Sequence, residues 1–161
     1  MAAEVEVSPL RDPAAIRKFM FAGRATFTLV STKTGARFTY CLRLGSKGDA
    51  YFVNVLTGPD NESDFELIGL VVMAGWHYRH VRRNSRIGEG AASVVAFKWF
   101  LDKLLNRSAV LEGQLEFWHE GKCGRCNRVL TVPESLESGF GPECREAMSP
   151  KCVTEQGRLF R

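Results

Sequence analysis

Apolar residues recur along this chain with two different periods. In two runs between Ala25 and Leu44 they alternate, and from Val94 to Leu104 they return every three or four positions. Alternation sends successive side chains to opposite faces of a strand, whereas the longer period gathers them on one side of a helix. Ala25, Phe27 and Leu29 share one face of a first run, and Phe38, Tyr40, Leu42 and Leu44 share one face of a second. Thr32-Lys33-Thr34-Gly35 lies between them, which predicts a β-hairpin with Gly at a turn position. Gly45-Ser46-Lys47-Gly48-Asp49 makes the next turn, and Ala50 to Leu56 a third strand. A loop of turn-forming residues from Thr57 to Asp64 leads to a fourth strand, Phe65 to Met73, and Trp76 to Val81 is a candidate fifth. Gaps this short predict a meandering antiparallel sheet.

A short helix precedes the sheet, capped by Asp12, with Pro13 at its first position and Gly23 as its stop. The longer helix follows a basic and then Gly-rich stretch, residues 82–90. Gly90 or Ser93 starts it, and Asn106 lies near its end. Val94, Phe97, Leu101 and Leu104 fall on one side, with Lys98, Asp102 and Asn106 on the other. Trp99 and Phe100 read as core, and Lys98 and Asp102 as an i,i+4 pair in the less favourable order. This helix should cover one face of the sheet, which gives an α+β fold, an antiparallel β-sheet packed by one main helix. A last strand, Val110 to Trp118, leads into a cysteine-rich tail. The expected division is an α+β sheet-and-helix domain over 1–109 and a zinc-finger module over 110–161.

Composition narrows the class. The chain has 161 residues, 45% hydrophobic and 25% charged, which excludes a disordered or fibrous protein. The longest apolar stretch, Val94 to Leu105, is broken by Lys98, Asp102 and Lys103, and falls short of the roughly 20 residues of a membrane span. Met-Ala-Ala-Glu-Val-Glu has neither the basic start nor the apolar run of a signal peptide, so a cytoplasmic protein is expected. The net charge of +4 suits a polyanionic partner without demanding one.

Five cysteines are present, and Cys123, Cys126, Cys144 and Cys152 crowd near the C-terminus. An odd count without a secretion signal argues against a disulfide framework and for metal. Cys123-Gly124-Arg125-Cys126 is a C-x2-C pair whose Gly permits the tight turn that lets two thiolates grip one tetrahedral ion. Gly139-Phe140-Gly141-Pro142-Glu143-Cys144 then places a third thiol near the start of a helix. A knuckle, a hairpin and a ligand at a helix start follow the order of a treble-clef finger. Two residues compete for the fourth position. His119 precedes Cys123, with Glu120-Gly121 allowing a bend back, and Cys152 lies beyond the Ser149-Pro150 break; His119 is placed first. One structural Zn²⁺ held by His119, Cys123, Cys126 and Cys144 is the expectation. A catalytic zinc, with Glu120 or Glu143 as its carboxylate, is the weaker alternative.

The run from Gly121 to Ser135, followed by Gly139 to Cys144, resembles a domain-of-unknown-function family of phage and bacterial proteins with the signature C-x-x-C-G-R-x-L-T-x-P-x-S…G-x-G-P-x-C. Asn127 stands where that pattern has Gly; Asn tolerates a left-handed backbone better than most residues. The resemblance implies a zinc-binding phage or prophage accessory protein and implies no reaction.

His77 to Arg86 carries Arg79, Arg82, Arg83 and Arg86 and no acid. Guanidinium forks suit phosphates, and Tyr78 or Trp76 is a candidate for stacking on a base. Lys122, Arg125 and Arg128 add charge around the cysteine turn. Asp60 to Asp64 lacks the pattern of a calcium loop and reads as a polar hairpin tip, and Cys41 as a small packing residue. No nucleophile elbow, phosphate loop or dinucleotide fingerprint is present, so a non-enzymatic protein is expected. It would bind nucleic acid through the basic run. The alternative is a phage-encoded inhibitor of the anti-defence type, or an adaptor, that binds a host protein complex or an anionic nucleotide.

Overall fold

The computed structural model describes residues 10–60, 63–81, 86–106, 114–119, 122–128, 130 and 139–147. In chain order the elements are α1 (Pro13–Met20), β1 (Arg24–Ser31), β2 (Arg37–Leu44), β3 (Ala50–Leu56), β4 (Phe65–Val72), β5 (His77–His80), α2 (Ala92–Asn106), β6 (Leu115–His119) and α3 (Pro142–Ala147). The six strands form one antiparallel sheet in the order β5-β4-β3-β2-β1-β6. The meander runs outward from β1 to β5. The chain then returns through α2, and β6 pairs with the free side of β1.

Alternation decides what each face carries. Phe27 stands opposite Tyr40 and His119, and Leu29 opposite Phe38 and Phe117, so these side chains share one face. The helix α2 lies on that face: Phe100 approaches Phe27 and Phe117, and Phe97 approaches Tyr40 and Tyr78. Val94, Phe97, Phe100, Leu101 and Leu104 are all buried, each side chain contributing about 1.5–3 kcal/mol of apolar burial. The Tyr40 hydroxyl crosses this layer and donates to Ser93 O at 2.7 Å, tying the second strand to the first turn of the helix. Burial pushes its ionisation up. Asp12 caps α1 as its sequence predicts, accepting from Ala14 N at 3.4 Å.

Two expectations for α2 are corrected. Trp99 is 37% exposed rather than core. The buried stripe passes through Phe100 and leaves Trp99 on the flank, where Lys103 Nζ sits 6.0 Å from its ring. Lys98 and Asp102 do not pair either. Lys98 Nζ reaches Glu89 Oε1 at 3.2 Å, and Asp102 accepts from Asn106 Nδ2 at 2.9 Å. A Lys placed N-terminal to an acid on a helix has the weaker geometry, so other partners win. The last strand begins at Leu115; residues 110–113, where it was expected to start, lie outside the described residues. The Asp60–Asp64 tip closes on itself, with Asp60 N donating to Asp64 Oδ2 at 2.8 Å and Ser63 Oγ to Asp60 Oδ2 at 2.7 Å. Among the described residues no helix is long and apolar enough to cross a membrane.

Candidate metal centre

Three cysteine sulfurs converge beyond the end of β6. The ligand atoms of Cys123, Cys126 and Cys144 all lie within 4.8 Å of one another. A tetrahedral zinc–thiolate site, with Zn–S bonds of about 2.3 Å, separates its sulfurs by ~3.8 Å. The three thiols therefore stand close to the spacing such an ion requires. They come from two separated segments, which only the fold brings together.

The knuckle owes its shape to local hydrogen bonds. Asn127 N donates to Cys123 O and Cys123 N to Arg128 O, each at 2.8 Å. Asn127 takes φ 63°, the left-handed conformation its sequence position suggests. Gly124 is required by its surroundings. A Cβ there would stand 2.6 Å from Phe19 Cδ2 and 2.8 Å from Phe19 O. Gly139, at φ +80°, rests on the same ring, with its Cβ position 2.7 Å from Phe19 Cδ2. Gly124 N donates to Gly139 O at 2.9 Å, which joins the knuckle to the segment leading into α3. Phe19, fully buried on α1, also meets Phe117, His119 and Phe140 at ring distances of 5.8, 5.7 and 5.9 Å. One aromatic ring thus supports both halves of the cysteine site.

The electrostatics are divided. Burial opposes ionisation of Cys123, but backbone N–H groups of Gly141, Cys126 and Arg125 outweigh it and hold this thiol below its ordinary value. Burial, with the neighbouring thiols, pushes Cys144 up, against the partial help of Arg125. An ion bound among these sulfurs supplies the positive charge that turns such thiols into thiolates. Arg125 donates through its backbone N to Cys123 Sγ at 3.4 Å and through its guanidinium to Cys144 Sγ at 3.6 Å. The sequence marks Arg125 only as added charge; its aim at a ligand sulfur depends on the turn and has no signature of its own. Arg128 and Glu143, 3.9 Å apart and 80% and 90% exposed, form a loose surface pair.

The two candidates for a fourth ligand stand differently. His119 ends β6, 2% exposed, with its ring against Phe19, and is not part of the cluster formed by the three sulfurs. Cys152 and Glu120 lie outside the described residues, as does most of the hairpin expected between the knuckle and α3.

The basic run is split by the pleat of β5. Tyr78 faces α2, its ring 5.7 Å from Phe97 and its hydroxyl donating to Ile68 O at 3.0 Å. Burial, with the charge of Glu89 adding to it, pushes its pKa up to about 12. Arg79 projects from the other face and is exposed, since its Cα partner Leu70 belongs to the row opposite the core. Arg86 is exposed and its backbone N donates to Glu66 Oε1 at 3.1 Å. Arg82 and Arg83 lie outside the described residues.

A family model described as a family of unknown function (DUF6011) matches residues 114–149, which take in β6, the knuckle and α3. No curated protein and no solved structure matches the chain.

Proposed function

We propose that this chain is a non-enzymatic, zinc-binding accessory protein of the phage or prophage type, which binds nucleic acid through its basic surface. The observation that carries the metal reading is the convergence of three thiols within 4.8 Å from two segments. Soft sulfur donors favour zinc over the hard cations magnesium and calcium. Cys123, Cys126 and Cys144 would hold one structural ion in a treble-clef-like arrangement, with His119 ahead of Cys152 as the fourth ligand. Such an ion stabilises a tail too short to build its own core. Substituting cobalt and reading the visible spectrum tests the set. Three sulfurs and one nitrogen give a weaker thiolate charge-transfer band than four sulfurs. A spectrum unchanged in His119→Ala but altered in Cys152→Ser would reverse the order of the two candidates. A protein that folds fully and binds no metal would remove the reading altogether.

For nucleic acid, the reading is supported by exposed Arg79 and Arg86, with Arg82 and Arg83 between them in sequence. Tyr78 serves this surface by fixing β5 against α2 rather than by stacking on a base. Fluorescence anisotropy with short single- and double-stranded DNA and RNA tests it, since phosphate contacts make affinity fall steeply with salt. Absence of binding at low salt would end it.

A second reading, an anti-defence inhibitor or adaptor that docks on a host protein, is favoured by one feature. Exposed Val95 and Trp99 border an apolar groove of about 490 Å³ between α2 and the β1–β2 hairpin. Trp99→Ser would abolish that docking and leave nucleic-acid binding intact.

A further inference from the structure

The sheet has a second face, and the strand register shows what lies on it. Arg24 is the partner of Arg43, Arg43 of Phe52, Phe52 of Leu70, and Leu70 of Arg79. These five residues form one row across β1, β2, β3, β4 and β5, on the face opposite α2. The parallel row beside it is Thr26, Cys41, Asn54 and Leu67, and beyond that Trp118, Thr28 and Thr39 stand side by side. Both longer helices, α1 and α2, send their rings to the opposite face. Arg24, Arg43 and Arg79 are exposed and Phe52 and Leu70 half-buried, whereas Thr26 and Thr28 in the neighbouring rows are buried, so this face is open along the arginine row and covered beside it on β1.

The row is electrostatically unfavourable as it stands. Arg24 and Arg43 are directly opposed, and like charges in that position destabilise a sheet, with Cβ atoms only ~5 Å apart. None of the three guanidinium groups has an ion pair among the described residues. An anion lying across the row would relieve that repulsion. At the β3–β5 end, Phe52, Leu70, Arg79 and Lys47 line a cavity of about 490 Å³. An aromatic ring and an aliphatic side chain between arginines offer a flat apolar seat with phosphate-binding groups on either side.

We infer that this open sheet face, along the row Arg24–Arg43–Phe52–Leu70–Arg79, binds single-stranded nucleic acid, with a base against Phe52 and phosphates at the arginines. The inference rests on the nucleic-acid reading above and assigns it a different surface from the 79–86 run, sharing only Arg79. The row crosses four strand spacings, about 19 Å at ~4.8 Å each, which is the reach of a few extended nucleotides. Single strands fit because their unstacked bases are free to lie on an aromatic side chain; a duplex keeps its bases stacked inside and would leave Phe52 without a partner.

The test uses the zinc-loaded full chain and a fluorescein-labelled oligothymidylate, with a duplex of the same length as comparison. Wild type should prefer the single strand, and the log–log salt slope should be about −2 for three phosphate contacts at ~0.7 each. Arg24→Glu/Arg43→Glu should weaken binding at least ~tenfold and flatten that slope. Phe52→Ala should cost a further ~fivefold or more through lost stacking. Arg43→Glu alone places opposite charges across from each other, so its melting temperature should hold or rise while its affinity falls; this separates lost binding from lost folding. Full affinity in Arg24→Glu/Arg43→Glu, with loss in Arg82→Glu/Arg83→Glu, would overturn the face and keep the nucleic-acid reading. Absence of binding by wild type to either probe would overturn both.

Discussion

Gly124→Ala isolates the contact on which the cysteine site rests. The new methyl carbon would fall 2.6 Å from Phe19 Cδ2, 2.9 Å from Phe19 Cε2 and 2.8 Å from Phe19 O. The ring has little room to yield, since it is fully buried against Phe117, His119 and Phe140. The carbonyl belongs to the last turns of α1 and cannot rotate away. The knuckle is also restrained, because Gly124 O accepts from Arg24 N at 3.0 Å and Gly124 N donates to Gly139 O at 2.9 Å. Overpacking of this kind costs about 1–3 kcal/mol. If the knuckle moves to relieve it, the sulfurs leave their positions and zinc affinity falls roughly five- to 150-fold. A competition titration against a colorimetric zinc chelator measures that loss. Phe19→Leu removes the ring but leaves the carbonyl, so the double variant should recover part of it, with a coupling of about 0.5–3 kcal/mol. Zinc affinity in Gly124→Ala within twofold of wild type would refute the claim that Phe19 sets the knuckle.

Two further outcomes follow from the tyrosines. Tyr40→Phe removes the 2.7 Å bond to Ser93 O and should cost about 1 kcal/mol in urea unfolding; an unchanged midpoint would mean that the bond does not anchor α2. Tyr78 has its pKa raised from 10.0 to about 12, so the folded state keeps its proton over a range where the unfolded state loses it. Its contribution to stability is therefore complete below about pH 10 and is lost as the pH climbs toward 12. Tyr40, also raised by burial, acts in the same direction. The melting temperature should drop across that window, and a phenolate absorbance titration in which all three tyrosines ionise near pH 10 would contradict it.

The hydrophobic pattern reveals the strands because alternate residues meet the helical layer: Ala25, Phe27 and Leu29 share the core face as their alternation predicts, although Thr26 and Thr28 between them are buried on the other face. The third strand coincides with its expected bounds for the same reason. Pattern is silent on the outward face. Arg24 and Arg43 look like ordinary exposed residues until pairing sets them opposite each other, and pairing depends on where the Thr32–Gly35 turn closes. Trp99 misleads for a related reason: its size suggests burial, but Phe100 and Leu101 already fill the stripe that meets the sheet. The convergence of the three thiols was legible because the C-x2-C pair and the Gly-flanked Cys144 stand out in the sequence. Phe19, which seats them, was not, since its contacts cross from α1 to a segment on the far side of the sheet in sequence.

The knuckle of the cysteine site also meets the edge of β1. Among the described residues strand β6 pairs with β1 from Phe27 to Ser31, with His119 as its last residue. The first residues of β1 would be left with a bare edge there. The knuckle takes over that edge, with Gly124 O accepting from Arg24 N and Asn127 Oδ1 accepting from Thr26 Oγ1 at 3.3 Å. Backbone groups of an edge strand that find partners in this way are removed from competition with water and from pairing with another chain. The same bond fixes the backbone of Arg24, the end of the arginine row. An ion bound by Cys123 and Cys126 would stiffen the residues between them and, through Gly124, the start of β1. The cysteine site and the arginine row are thus joined by one hydrogen-bonded path through the start of β1.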